Sequence, residues 1–347
     1  MAYTTINKPN LHFNTLLRTG NYAGSGTTAI TGVGFAPGLM WEKKRNGTSI
    51  HALLDQVRGN SKQLRSETDL AETTTSQYAS IDSDGFTVNN SGDYGGSDNL
   101  VSWHWKANGQ GSANNDGSIN TTYTSANTTA GFSIVKWTGT GSAGTLGHGL
   151  GVAPKVVLVK NTINAYNWCM YHENNGNTKA LYLNNDTTGA TSSTFFNDTS
   201  PTNSVFSIGS DLAVNKSGSA IIAYCFAEKT GYSRFASYTG NGNADGTFVY
   251  TGFRPAFIML KETNNSSTAW YIFDAKRNTL NATDLFLKPN ASDAEGGAGN
   301  GYLDILSNGF KWRASSGSLN GGSDTYIYMA FAENPLVGSN GIPTTAK

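Results

Sequence analysis

Apolar residues in this chain fall in runs of four to seven, separated by clusters of Gly, Asn, Asp and Ser. That pattern belongs to short strands joined by tight turns, not to the three-to-four-residue recurrence of amphipathic helices. The runs Pro154-Lys155-Val156-Val157-Leu158-Val159 and Pro255-Ala256-Phe257-Ile258-Met259-Leu260 offer apolar side chains to both faces, as a central strand would. A proline at the first strand position costs no essential ladder bond. Asp82-Ser83-Asp84-Gly85-Phe86 and Ser307-Asn308-Gly309-Phe310-Lys311-Trp312 read as hairpin turns feeding a strand. One stretch, 49–71, disagrees: its Leu53, Leu54 and Val57 suit a helix when read alone.

The pattern repeats. Gly34-Phe35-Ala36-Pro37, Gly151-Val152-Ala153-Pro154 and Gly252-Phe253-Arg254-Pro255 each open an apolar run that ends six residues after the proline, at Lys43, Lys160 and Lys261. Thr19-Gly20, Thr138-Gly139 and Thr239-Gly240 precede these prolines by 18, 16 and 16 residues. Each unit closes on an aromatic strand, whose last ring (Trp105, Phe226, Phe331) lies 68, 72 and 76 residues past the proline. Four ordered landmarks in three units define an internal repeat of roughly a hundred residues, a common domain size. The repeat sets 49–71 opposite Trp168-Cys169-Met170 and Trp270-Tyr271-Ile272, which favour strand, and context overrides helix propensity. We therefore expect strand there.

The expected organisation is all-β, with three tandem antiparallel β-sandwiches. An N-terminal segment and repeat 1 occupy 1–108, repeat 2 occupies 131–229 and repeat 3 occupies 230–334. The run 109–130, almost purely Gly, Asn, Ser and Thr, reads as a flexible linker, and 335–347 as a loose tail. With a short join between repeats 2 and 3, this division predicts that 131–334 moves as a distal module while 1–108 stays anchored.

Composition narrows the function. The 347 residues carry 24 basic and 24 acidic side chains, so the basic excess of a nucleic-acid binder is missing. Aromatics at 11% argue for a folded chain rather than a disordered one. No apolar stretch is long enough to cross a bilayer as a helix, and residues 1–17 lack the basic and apolar segments of a secretory signal. Two cysteines cannot form a disulfide framework or a tetrahedral zinc site.

Candidate chemistry is sparse. His12, His51, His104, His148 and His172 show no metal-ligand spacing, and neither a nucleophile elbow nor a phosphate loop occurs. Neither the His51 nor the Asp55 position keeps its chemistry across all three repeats. Asp82-Ser83-Asp84-Gly85 starts like a calcium loop but lacks the closing bidentate Glu, and reads as a turn. Lys43, Lys160 and Lys261 are expected to snorkel from strand ends to water, the alternative being contact with a neighbouring subunit or a glycan. Trp41, Trp103, Trp105, Trp168, Trp270 and Trp312 are expected to fill cores with their N–H groups bonded, not to form sugar platforms. Cys169 and Cys225 align with Ala52 and His104 in repeat 1 and with Tyr271 and Ala330 in repeat 3, so buried free thiols are expected, a disulfide requiring neighbouring strands. No catalytic, cofactor-binding or metal residue is assigned.

The order of motifs carries a resemblance. Met1-Ala2-Tyr3-Thr4-Thr5-Ile6-Asn7-Lys8-Pro9, then Gly34-Phe35-x-Pro37, Trp41-x-Lys43, Arg45-Asn46-Gly47, Asp55-x-Val57-Arg58-Gly59, Ser83-Asp84-Gly85-Phe86 and Trp103-x-Trp105-Lys106 resemble a domain of structural proteins in tailed bacteriophages, especially marine phages of cyanobacteria. Repeats 2 and 3 keep the skeleton but depart from it, Asp55 becoming His172 in repeat 2. The resemblance implies a jelly-roll or concanavalin-like sandwich in a non-enzymatic virion protein, assembled in the host cytoplasm without cofactor. It implies a tail fibre or tail-associated surface protein, homo-oligomeric and trimeric, that meets other virion proteins and host-surface glycans or proteins. The alternatives are a capsid decoration or head appendage and a glycan-degrading tail spike.

Overall fold

The computed structural model describes residues 3–20, 25–90, 98–265, 267–297, 299–338 and 340–343. Apart from short helical turns it is all-β, and its strands pair antiparallel. Each repeat builds a larger sheet in one order: leading strand, closing strand, Pro-led strand, following strand. In repeat 1 these are Phe13–Thr19, Asn99–Trp105, Leu39–Lys44 and His51–Asp55. In repeat 2 they are Phe132–Thr138, Ala220–Phe226, Val156–Asn161 and Cys169–His172, and in repeat 3 Ser233–Thr239, Thr325–Pro335, Phe253–Glu262 and Tyr271–Asp274. A smaller sheet accompanies each: Thr27–Thr31, Gly85–Asn89 and Tyr78–Asp82; Gly144–Gly147 with Val205–Ile208; Phe248–Tyr250, Gly309–Trp312 and Leu303–Leu306.

The register repeats with the order. Leu39 lies opposite Trp105 and Asp55, Val156 opposite Phe226 and His172, and Phe257 opposite Phe331 and Asp274. Each first-named residue stands two past its proline, so the sequence landmarks and the pairing agree. The ambiguous segment is strand, at His51–Asp55 and Gly59–Leu64, as the repeat required.

Side chains alternate across each Pro-led strand. Met40, Val157, Val159, Ile258 and Leu260 turn to a core within their own repeat. Leu39, Trp41, Val156, Leu158, Phe257 and Met259 turn the other way, into one core that all three repeats share. This double burial is why the runs are apolar at nearly every position. At the middle of the shared core the three closing aromatics form a triangle. Trp105, Phe226 and Phe331 stand 6.3 Å, 6.0 Å and 5.7 Å apart between ring centroids, all edge-to-face. Such pairs contribute about 0.5–1.5 kcal/mol each beyond their area burial. The triangle marks a pseudo-threefold axis, and beside it lies an apolar cavity of about 20 Å³ lined by Leu39, Trp41, Leu158, Phe226, Phe257 and Met329 among others.

The expected linker is not one. Within 109–130, Tyr123–Asn127 pairs with the leading strand of repeat 2, and Thr121 and Ser125 are buried. Ser125 Oγ accepts from Asn108 N and donates to Gly109 O, and Asn114 N donates to Thr121 Oγ1. Polar side chains here satisfy backbone groups that apolar burial does not, which is how a linker-like composition gives an ordered segment. Gly131 then turns at φ +70°, where a Cβ would lie 2.2 Å from Ala227 O. Ala130, Phe132 and Ile134 all enter the shared core. The swinging of 131–334 away from 1–108 therefore has no hinge.

Both ends of the described chain are tied to repeat 3. Tyr3 donates its hydroxyl proton to Gly252 O (2.7 Å), Ile6 enters the shared core, and Leu336 N reaches the same Gly252 O (3.4 Å). The expected loose tail starts inside the closing strand, which runs to Pro335, and continues through a bridge between Val337 and Pro343; residues 344–347 lie outside the described residues.

A shared core predicts shared unfolding. Phe331→Ala should destabilise by about 3–5 kcal/mol, and denaturant transitions followed by tryptophan fluorescence and far-ultraviolet circular dichroism should remain coincident. A 131–347 fragment, stripped of repeat 1, should show no cooperative transition as a monomer. A sharp transition from that fragment would show that repeats 2 and 3 stand alone.

Candidate functional site

The polar chemistry of the chain gathers where the repeats meet. Lys43, Lys160 and Lys261 end their strands buried, not at the surface. Each ammonium donates to a backbone carbonyl of another repeat: Lys43 Nζ to Ser292 O (3.2 Å), Lys160 Nζ to Asp69 O (2.9 Å), Lys261 Nζ to Asp186 O (3.2 Å). Four residues before each acceptor lies a second one. His51 Nε2 meets Lys288 O (3.0 Å), Trp168 Nε1 donates to Arg65 O (2.8 Å), and Trp270 Nε1 donates to Tyr182 O (2.9 Å). The three rings hold one position, four residues before Asp55, His172 and Asp274. Their backbone N–H groups are held alike too, by Glu67, Asn184 and Asn290 side chains.

A third contact comes from the closing strands. Tyr224 donates its hydroxyl proton to Asp55 Oδ2 (2.8 Å) and Trp103 Nε1 donates to Asp274 Oδ2 (3.2 Å). In the remaining junction donor and acceptor are exchanged, with His172 Nε2 facing Tyr328 O (3.3 Å). Apart from that exchange, the donors run in one sense, from repeat 1 to 3, from 3 to 2 and from 2 to 1, so the ring is closed. The junction of repeats 1 and 3, which no peptide bond spans, adds a bidentate Arg45–Glu295 pair at 2.8 and 3.0 Å. Such pairs combine charge with fixed geometry.

Two of the three acid positions also organise a turn. Asp55 Oδ1 accepts from the N–H groups of Val57 and Arg58, and its Oδ2 lies 2.6 Å from Arg58 Nε. Asp274 does the same for Lys276 and Arg277, with Arg277 Nε at 2.5 Å. Repeat 2 has His172 and Asn175 at these positions, and His172 Nδ1 accepts from Asn174 N (3.2 Å). With Nδ1 occupied as acceptor, Nε2 carries the proton towards Tyr328 O. The same tautomer follows for His51, whose Nδ1 accepts from Trp41 Nε1 (2.9 Å).

Burial sets the titration of these groups. It pushes each of the three lysines down to about 8. Burial, with Lys43 nearby, brings His51 to about 3, and burial brings His172 to about 4. Asp55 is engaged by two N–H groups, a guanidinium and a phenol, all away from solvent. Chemistry of this kind holds repeats together.

The other sequence candidates are scattered. Asp82 and Asp84 serve the hairpin: Asp84 accepts from Gly32 N and Gly34 N, and Asp82 from Ser80 and Thr87 hydroxyls. His12 packs on Tyr232, His104 bonds Ser102, and His148 meets Thr202 O. Among the described residues no group of three or more His, Cys, Asp and Glu could hold a metal ion. All seven tryptophans are buried. The N–H groups of Trp41, Trp103, Trp168 and Trp270 are bonded and Trp312 packs against Tyr238, but the Trp105 N–H has no partner, contrary to expectation. Cys169 and Cys225 are free and buried, on strands separated by the Pro-led strand of repeat 2, and burial raises both thiols.

A family model described as DUF7483, a domain of unknown function, matches residues 8–335, across all three repeats. The chain belongs to this family. A search of curated proteins finds no match. Of the DUF7483 ring, sequence reasoning found the lysines but not what they bind. The acceptors are backbone carbonyls, which leave no residue signature. The shared ring position of His51, Trp168 and Trp270 was within reach, since it lies 14, 14 and 15 residues past the three prolines.

Two outcomes follow. Asp274→Asn leaves the buried Arg277 guanidinium with Glu295 (3.0 Å) as its remaining counter-charge and weakens the charge-assisted bonds at Asp274, so it should cost about 1.5–3 kcal/mol in denaturant unfolding. Replacing both members by the repeat-2 pair, Asp274→His with Arg277→Asn, should cost less, because no buried guanidinium is left to pair. Acid should also unfold the protein. Burial holds His51 and His104 near 3 and His172 near 4 in the folded chain, so between these values and 6.5 the unfolded chain binds more protons. Stability from each then falls by up to about 1.4 kcal/mol per pH unit as pH drops through that window. Glu67 and Glu262, raised by burial, work in the opposite sense, two groups against the five histidines that burial lowers. Urea midpoints between pH 7 and pH 4 should fall, and His104→Gln should flatten the slope.

Proposed function

We propose that the protein is a non-enzymatic structural component of a phage particle surface, a tail fibre or tail-associated protein assembled in the host cytoplasm with other virion proteins. In this reading each repeat is a jelly-roll or concanavalin-like sandwich whose larger sheet forms one wall of the common core. The observation that carries it is the closed ring of three clasps, which spends the buried polar groups on cohesion. The phage setting itself comes from the motif resemblance. A homotrimer is the expected state of such a protein, and here one chain already supplies three equivalent walls. A solution mass of one chain would place the threefold arrangement within the polypeptide; a mass of three would stack it on a second level.

Quantitative mass spectrometry of purified particles should find dozens of copies or fewer, as for a fibre. Hundreds of copies would favour a capsid decoration. Release of reducing ends from host envelope glycans by the purified chain would overturn the non-enzymatic reading.

A further inference from the structure

The three repeats are internal controls for one another, and one face breaks the pattern. In the smaller sheets, Ile30 pairs with Phe86, Leu146 with Phe206 and Val249 with Phe310, all facing inward. The flanking positions on the first strand therefore face outward. They are Ala29 and Thr31 in repeat 1, both exposed, but Phe248 and Tyr250 in repeat 3; in repeat 2 segment 109–130 covers the face, with Ser118 bonded to Thr145 and Asn114 against Gly147. Phe248 is 44% exposed and Tyr250 53%. The fold does not need aromatic rings here, since the equally exposed face of repeat 1 does without them.

The surroundings of the two rings are polar and ordered. Across the sheet, Phe248 lies beside Lys311 and then Asp304, and Tyr250 beside Gly309 and then Leu306. Lys311 Nζ sits 2.9 Å from Asp245 Oδ1, and Arg313 Nη2 2.6 Å from Asp304 Oδ2. The Asp245 side chain is 81% exposed and that of Arg313 43%. Tyr3, anchored on Gly252 O, adds a third ring beside Tyr250.

We propose that this outer face of repeat 3 is a carbohydrate-binding platform. Phe248 and Tyr250 stack on the apolar faces of sugar rings, while Lys311, Asp304, Arg313 and Asp245 exchange hydrogen bonds with sugar hydroxyls. Residues two apart on a strand project from one face roughly 6–7 Å from each other, which suits an extended chain of sugars rather than a single ring. A protein hot spot would need its aromatic anchors inside a rim of contacts that excludes water. Here the neighbours are an ion-pair cluster whose Asp245 and Arg313 ends are exposed, a glycine without a side chain and a single half-buried leucine, Leu306. The platform deepens the surface-protein reading and rests on it for biological setting only; binding is read on the purified chain and location on the particle, so either can fail without the other.

The test uses the full chain on an array that includes cellohexaose, chitohexaose and a bacterial O-polysaccharide. The paired variant Phe248→Ala with Tyr250→Thr carries the residues of repeat 1 and should keep the parent's thermal transition, because both sites are exposed. We expect the parent to bind at least one glycan, and the variant to lose about a hundredfold in affinity, about tenfold for each ring. Absence of binding to every glycan overturns the proposal. So does equal binding by parent and folded variant, which would place the glycan contact elsewhere.

Discussion

Everything else in this structure depends on the larger sheets being buried on both faces. An antiparallel sheet can leave one face to water, and then an alternating sequence suffices. Here each larger sheet faces its own small core on one side and the common core on the other. Two-sided burial needs apolar residues at successive positions, and it removes solvent from every polar group at the sheet ends. The lysines, the ring N–H groups and the aspartates must then find partners inside the protein. They find them in the next repeat. Packing thus creates the demand for hydrogen bonds, and the clasps meet it.

The clasps show how a repeat tolerates divergence. The ring position accepts His or Trp because each presents one N–H to a carbonyl. The acid position accepts His172 in place of Asp only together with Asn175 in place of Arg, so that repeat 2 buries a neutral set where repeats 1 and 3 bury an ion pair. What persists is one polar bond across each junction, not the residue, and Asn175 Nδ2 itself is left buried without a partner.

Much of the fold was legible. Proline offsets gave the register, and the closing aromatics that defined the repeat are the rings that meet on the axis. Two things were hidden. Apolar runs indicate coverage of both faces without saying by what, so three beads on a string and three walls of one core look alike. Segment 109–130 misled because Ser125, Thr121 and Asn114 order it through side-chain-to-backbone bonds, which composition cannot distinguish from solvation. The exposed rings of Phe248 and Tyr250 emerged only once alignment of the smaller sheets showed which positions face out.

The meeting of Tyr3 and Leu336 on a single carbonyl, that of Gly252, has a topological meaning. The two ends of the ring are neighbours, and the clasps that close the unlinked junction are of the same kind as those at the two linked ones. Covalent order is therefore only one of three ways to cut the same circle. A polypeptide that began at repeat 2 or repeat 3 and carried repeat 1 later would have the same walls, the same axis and the same clasps, since the ring requires cyclic order and is indifferent to which repeat comes first.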